Sequence, residues 1–91
     1  MADFAPWYRR EDYDRIQEIM DDGANLPSTF DEWESRAKSR MAKAEASGVR
    51  LKPIIVDPDD FMAFCREKGI PKGSKERTLF AVTRGSAEKL N

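Results

Sequence analysis

The chain has 91 residues, of which 40% are hydrophobic and 36% are charged, and it contains one Cys. This length suits a single small domain over 1–91, and the composition is too apolar for a disordered chain. No apolar run approaches the roughly 20 residues that a membrane span needs, and the opening MADFAPWYRR lacks the apolar core of a secretory signal. One Cys excludes an internal disulfide, so we expect a cytoplasmic protein.

The net charge of −1 gives the chain no overall attraction to nucleic acid or to anionic lipid. The charge is unevenly placed, because residues 1–47 carry seven Lys or Arg against eleven Asp or Glu, whereas residues 48–91 carry nine against six. Halves of opposite sign could attract each other across a fold or a dimer, or they could simply be solvated faces.

The first nine residues show no period and contain Pro6, so 1–9 is predicted as an N-terminal arm. The arm is too aromatic to be a free tail, and its Trp7 and Tyr8 are candidate contacts for a protein partner. From about residue 11, apolar side chains recur at helical spacing and predict a helix that ends in the segment DDGANLP.

The segment PSTFDEWESRAKSRMAKAEASG predicts the second helix. Ser28 or Thr29 suits the N-cap, acidic residues follow in the first turn, and Gly48 suits the C-terminal end. One face carries an apolar stripe at spacings of three and four residues, formed by Phe30, Trp33, Ala37, Met41 and Ala44. We expect this stripe, including Trp33, to face the core.

Residues 50–56 are rich in β-branched side chains and predict a strand. Asp57 followed by Pro58 then predicts the N-cap and first position of a third helix, which Gly69 and Pro71 end. Ser74 suits the N-cap of a fourth segment. Its capped, charged start favours a helix, although 77–83 has strand composition, and 85–91 is predicted as a frayed C-terminus.

The predicted fold is therefore α+β and mostly helical, with the order α-α-β-α-α and one strand. If 77–83 were instead a second strand, the chain would contain a βαβ unit with an intrachain partner for 50–56. Neither face of 50–56 is polar, so both faces are expected to be covered by helices.

A single strand leaves backbone groups that need a partner. Pro53 has no N–H, so the strand edge that its nitrogen faces should be open or covered by a loop. The N–H groups of Lys52, Ile54 and Val56 point to the other edge. With a helical fourth segment, a second copy of the chain would have to pair with them, so we expect a homodimer through this strand. A monomer in which the arm or the fourth segment supplies the second strand is the alternative.

Two resemblances follow from these segments. LPSTFDEWESRA, VDPDDFMAFCREKG and KERTLFA resemble segments of small bacterial proteins to which no activity is assigned. The likeness implies a bacterial origin and no function. It rests on eight positions: Thr29, Phe30, Trp33, Asp57, Pro58, Phe61, Cys65 and Arg77.

Residues 50–84 also resemble, weakly, a ribbon-helix-helix domain, which dimerises through its strand and reads the DNA major groove with it. The positions that would face the groove, Leu51, Pro53 and Ile55, cannot hydrogen-bond a base edge through their side chains. DNA could still be held by phosphate contacts from basic residues, with the helix start at Ser74 assisting. These candidate anion or nucleic-acid contacts are Arg50, Lys52, Lys72, Lys75 and Arg77.

The sequence contains no clear catalytic or metal-binding motif. The sequence has no His, which removes the usual general base and the commonest metal ligand, and one Cys is too few for an ordinary zinc site. Cys65 lies one turn after Phe61 on an apolar face and is expected to be a buried structural residue. Asp57, Asp59 and Asp60 could hold a divalent cation, but an N-cap and first helical turn also favour acidic residues.

No catalytic residue, cofactor or metal is therefore predicted. We expect a non-catalytic, homodimeric protein-interaction or structural module. The alternative is a DNA-binding regulator with a ribbon-helix-helix-like C-terminal half, which the near-neutral net charge disfavours.

Overall fold

A computed structural model describes residues 2–89 of the chain. Within that range the protein is α+β and mostly helical. In chain order, its elements are β1 (Ala2–Trp7), α1 (Tyr13–Ile19), α2 (Phe30–Ala46), β2 (Arg50–Ile55), α3 (Pro58–Lys68) and α4 (Ser74–Lys89). Short 3-10 turns at Arg10–Asp12 and Gly23–Asn25 flank α1.

The predicted N-terminal arm is instead a strand. β1 and β2 form a parallel two-stranded sheet in the register Ala2↔Arg50 through Trp7↔Ile55. The Val56 N–H continues the ladder and donates to the Trp7 carbonyl at 2.8 Å. Because N–H groups alternate along a strand, those of Lys52 and Ile54 also point toward β1. These N–H groups therefore have an intrachain partner and need no second copy of the chain to pair with them.

Each strand carries a proline whose nitrogen faces away from the other strand. The inward direction of Val56 and Trp7 fixes the alternation, which places Pro53 on the outer edge of β2 and Pro6 on the outer edge of β1. Proline offers no N–H to a further strand. Both outer edges of the sheet are therefore poor templates for strand addition.

The two faces of β2 differ in burial. Ile54 and Val56 are buried on the face that also carries Phe4, whose ring lies against α4 at Gly85. On the opposite face, Pro53 is exposed and Ile55 is 44% exposed. The prediction that both faces are covered therefore holds for one face only, because on the second face Leu51 is half-buried but Pro53 and Ile55 are exposed.

Helix α2 confirms the capping and stripe predictions. The Thr29 hydroxyl accepts a hydrogen bond from the Glu32 N–H at 3.2 Å, so Thr29 is the N-cap. Trp33 and Ala37 are buried, and the other members of the stripe are half-buried. At the end of the helix, Gly48 has a φ of 89°, a left-handed conformation that other L-residues rarely adopt.

Helix α3 also begins and ends as predicted. The Asp57 carboxylate accepts from the N–H groups of Asp59 and Asp60 at 3.0 and 3.1 Å, and Pro58 occupies the first turn. Gly69 closes the helix in the left-handed conformation.

The fourth segment is a helix, so the alternative of a strand at 77–83 is wrong. The helix begins at Ser74, and the Arg77 N–H donates to the Gly73 carbonyl. The N-cap is therefore Gly73 and not the predicted Ser74. Glu76 reaches back to accept from the Gly73 N–H at 3.1 Å. The predicted frayed segment 85–91 is helical as far as Lys89, and its last two residues lie outside the described range.

The core has two aromatic centres. One is built by Tyr8, Tyr13 and Trp33 with the half-buried Trp7 and Phe30, and the other by Phe61, Phe64 and Phe80. The first centre joins β1, α1 and α2, and the second joins α3 to α4. Over residues 2–89, no helix is both long enough and apolar enough to cross a membrane.

Candidate binding groove

A groove of about 790 Å³ lies between α2 and the start of α4, beside the C-terminal half of β1. Trp7 and Tyr8 contribute from β1 and the residue after it, and the walls are formed by α2 and by the first turn of α4. Much of the rim is exposed, including Ser39 and Arg40 on α2 and Thr78 on α4. The groove is therefore an open trough rather than a closed cavity.

Aromatic rings hold the inner side of the groove in place. The rings of Trp7 and Trp33 meet edge to face with centroids 5.0 Å apart, and Tyr8 packs on Trp33 at 4.7 Å. These contacts explain why the sequence Ala-Pro-Trp-Tyr does not form a free arm. Trp7 is half-buried and Tyr8 is only 3% exposed, yet both line the groove, so they stay candidate contacts for a partner.

The Tyr8 hydroxyl is the notable polar group of the groove. It has no hydrogen-bond partner among residues 2–89, yet no buried side-chain oxygen or nitrogen in that range is unsatisfied. The hydroxyl must therefore reach solvent, and the groove is the surface that Tyr8 lines. Burial raises the pKa of Tyr8 to about 12, while the nearby Arg77 and Arg40 lower it in part. The hydroxyl is thus a protonated donor at neutral pH.

The charged residues that line the groove are all cationic. Among the described lining residues there is no Asp or Glu, whereas Arg36, Arg40, Lys43 and Arg77 all contribute. Arg36 is paired with Glu32 at 3.0 Å on the exposed surface of α2. Arg40 and Lys43 form no ion pair with any residue in 2–89. Two cations one helical turn apart are therefore uncompensated at the rim.

Arg77 is held at the end of the groove by Asp22. Its guanidinium donates two hydrogen bonds to the Asp22 carboxylate, at 2.6 and 2.9 Å. Burial opposes the charge of Arg77, but the bonds to Asp22 and the attraction of Tyr8, Asp22 and Glu76 together outweigh it, so the pKa of Arg77 is raised. The same bonds lower the pKa of Asp22. Arg77 was predicted as a phosphate contact; its side chain is instead buried and committed to a carboxylate.

The other predicted nucleic-acid contacts do not form one basic surface. Phe4 is the register partner of Lys52 and touches Gly85, which places Lys52 near the C-terminal half of α4. Lys75 lies ten residues before Gly85, about 15 Å along the helix. Lys72 lies before α4, where its N–H and carbonyl bond to Asp21. Of the whole set, only Arg77 lines the groove; the others are Arg50, Lys52, Lys72 and Lys75.

The pairing of β2 does not fit the ribbon-helix-helix resemblance. In that family the strand pairs with its counterpart in a second chain. Here the inner edge of β2 pairs with β1, and its outer edge contains Pro53. The expected dimer-strand residues Lys52, Ile54 and Val56 therefore lie in an intrachain ladder.

The acidic cluster at the start of α3 is engaged by arginines. Asp57 caps the helix and also pairs with Arg9 at 2.7 Å, and Asp59 pairs with Arg15. Within residues 2–89, no group of three His, Cys, Asp or Glu side chains is placed to hold a metal ion. Cys65 is buried, and burial raises the pKa of its thiol, which opposes formation of a thiolate.

Sequence reasoning missed the groove because it treated β1 as an arm. A signal was present, however. Arg36, Arg40 and Lys43 recur at spacings of four and three and therefore share one side of α2, next to the apolar stripe. Only the position of β1 turns that side of the helix into the wall of a groove.

No family model, curated protein or solved structure matches this chain. The resemblance to small bacterial proteins thus rests only on the segments quoted above.

Proposed function

We propose that the protein is a non-catalytic protein-interaction module whose partner binds in the groove between α2, β1 and the start of α4. The observation that carries the proposal is the Tyr8 hydroxyl, a donor with no partner in residues 2–89 on a side chain that is otherwise buried. The hydroxyl reaches solvent on the surface that lines the groove, so it is open to an acceptor from outside the chain. A bound partner would supply it.

The groove favours binding over chemistry. A general base is normally His, Asp or Glu. The sequence has no His, and no Asp or Glu is among the described residues that line the groove. Ser35, Ser39 and Ser74 line it, and none of their hydroxyls is hydrogen-bonded to a side chain that could act as a base among the described residues. The absence of catalysis stays a prediction, and the lack of His, Asp and Glu among the described lining residues supports it.

Self-association belongs to the same proposal. Because β2 has an intrachain partner, the support for a homodimer moves to α4, where Leu79 and Val82 are 45% and 42% exposed and lie one turn apart. A second copy packed on this side of α4 would cover both. A cytoplasmic, bacterial setting remains part of the proposal on the sequence grounds given above.

Site-specific photocrosslinking tests the proposal. A photoreactive phenylalanine analogue replaces Ser39, which is exposed and lines the groove, in the full chain expressed in its own cells. The matched control carries the analogue at Glu67, which is exposed on α3 and does not line the groove. We expect a protein adduct at Ser39 that is absent at Glu67, and the purified partner should bind the unmodified protein.

Two results would overturn the proposal. One is an adduct to nucleic acid alone at Ser39, which would instead favour the DNA-binding alternative. The other is the same set of protein adducts at both positions, because the groove would then have no special role.

A further inference from the structure

We infer that the groove selects an extended, acidic peptide segment that carries an aliphatic or aromatic side chain next to its carboxylates. The inference rests on the proposed function and names the partner chemistry that the groove fits. Its basis is the juxtaposition of unpaired cations, aromatic donors that reach solvent and half-buried apolar side chains in one trough.

The first element is charge. Arg40 and Lys43 lie one turn apart on α2 and form no ion pair within the described residues, and no acidic side chain from that range lines the groove. The chain as a whole has a net charge of −1, so this local excess of positive charge is specific to the groove. Carboxylates placed there would gain charge-assisted hydrogen bonds without displacing an internal anion.

The second element is a pair of neutral donors on aromatic residues that line the groove. Tyr8 and Trp33 are 3% and 4% exposed, and neither the hydroxyl nor the indole N–H has a hydrogen-bond partner among residues 2–89. Both residues line the groove. Apart from the Tyr8 oxygen, these groups can only donate, so they favour a ligand rich in acceptors such as carboxylate and peptide carbonyl oxygens.

The third element is apolar surface. Trp7, Met41 and Leu51 are half-buried and line the same groove as the two cations. Interfaces gain much of their affinity where an aromatic or aliphatic side chain fills such a pocket inside a polar rim. An acidic segment with one apolar anchor would satisfy both parts of the groove.

The surroundings favour a peptide over a nucleic acid. Of the four cations that line the groove, Arg36 is paired with Glu32 and Arg77 with Asp22, which leaves only Arg40 and Lys43 for a ligand. A nucleic acid carries a phosphate at every nucleotide and would find cations for few of them, whereas a peptide can place its carboxylates only beside Arg40 and Lys43. Pro6 withholds an N–H from the outer edge of β1, so recognition would rely on side chains rather than on strand addition.

Selection from a random peptide library tests the inference without a known partner. The long dimension of the molecule is 33 Å, which an extended peptide of about ten residues spans. Displayed peptides of that length are selected on the intact protein and counter-selected on the double variant Arg40→Glu, Lys43→Glu. We expect the survivors to be enriched in Asp and Glu next to Leu, Phe or Trp, relative to the unselected library.

The selected peptides are then measured in solution by fluorescence anisotropy. Arg40→Glu should weaken binding at least about tenfold, because a like charge replaces an opposite one, and amide versions of the peptides should lose affinity similarly. Arg66→Glu, which makes the same charge change on an exposed site of α3 outside the groove, should have little effect. Circular dichroism confirms that each variant is folded.

The possible failures are distinguishable. Neutral or basic peptides that depend on Arg40 would overturn the inference and leave the proposed function intact. If no selected peptide is sensitive to groove variants while an oligothymidylate binds the protein and loses affinity in Arg40→Glu, both the inference and the proposed function fail.

Discussion

Arg77 on α4 and Asp22 in the loop after α1 form a two-bond ion pair across 55 positions of sequence, and the Arg77 side chain is only 6% exposed. The pair joins the N-terminal half of the chain to its last helix. It also fixes Arg77 beside Tyr8 at the end of the groove, where its charge lowers the pKa of the phenol in part. One interaction thus contributes to both the fold and the site.

Removal of the Asp22 carboxylate should lower the free energy of unfolding more than removal of the Arg77 guanidinium. Asp22→Ala leaves a buried guanidinium without its partner and should lower the free energy of unfolding by about 2–3 kcal/mol. Arg77→Met keeps most of the packing and leaves Asp22, which is 28% exposed, able to meet water, so its cost should be smaller. Urea denaturation measures both. Asp14→Ala, an exposed acidic residue of α1, is the control, and a loss as large as that of Asp22→Ala would contradict the prediction.

Stability should fall in acid through two carboxylates. Hydrogen bonds from Arg77 lower the pKa of Asp22, and the Asp60 N–H at the helix cap, with help from Arg9, lowers the pKa of Asp57. In the unfolded chain both groups take up a proton near the ordinary value of 3.8. Protons therefore bind first to the unfolded state, and stability is complete above that pH and declines as the pH falls through the lower folded values.

Urea denaturation between neutral pH and about pH 3 checks this dependence. The variant Asp22→Asn should lose less stability over the acidic range than the unaltered protein, because one of the two linked groups no longer titrates. If the free energy of unfolding falls equally with pH in Asp22→Asn and in the unaltered protein, Asp22 does not contribute to the pH dependence.

Gly85→Ala should destabilise the protein although alanine favours a helix. A Cβ at this position would lie 2.3 Å from the Phe4 ring, where α4 crosses β1. Overpacking costs about 1–3 kcal/mol and the helix gain offsets about 1 kcal/mol, so we expect a net loss of up to about 2 kcal/mol. Thermal unfolding measures it. Ser86→Ala on the exposed side of the same turn should be neutral, and adding Phe4→Leu should restore part of the loss.

Light scattering after size exclusion should give twice the mass of one chain if the homodimer proposal holds. Leu79→Asp should convert the protein to a monomer, because it places a charge in the apolar surface that a second copy would cover. Ala42→Asp, which introduces the same charge at an exposed site of α2, should leave the mass unchanged. A monomer for the unaltered chain at micromolar concentration would contradict the proposal.

Local signals in the sequence predicted the helices well. The Thr29 cap, the Asp57–Pro58 start and the left-handed Gly69 each depend on a few adjacent residues, and the structure confirms all three. The choice of helix for α4 was also correct, since the charged start outweighed the strand composition of 77–83.

Long-range pairing is what the sequence did not predict. The six residues of β1 lack alternation, include Pro6, and become a strand only because β2 supplies a partner in the right register. Arg77 looked like a free cation because its carboxylate lies in a loop near the other end of the chain. The groove depends on the pairing of β1 with β2 and on the Arg77–Asp22 ion pair. The sequence of α2 therefore shows that its cations share one side of the helix, but it does not show that this side lines a groove.

The separation between the strands has a consequence for the order of folding. Each residue of β1 pairs with a residue 48 positions later, from Ala2 with Arg50 to Trp7 with Ile55. Closing a loop of that length costs entropy that local helix formation does not, so α2 and α3 are expected to form first and β1 to dock late. On the ribosome, residues 2–7 would stay unpaired until β2 had been synthesised. Until α2 had also formed, Trp7 and Tyr8 would lack their packing contact with Trp33. The binding groove would then be among the last parts of the molecule to appear.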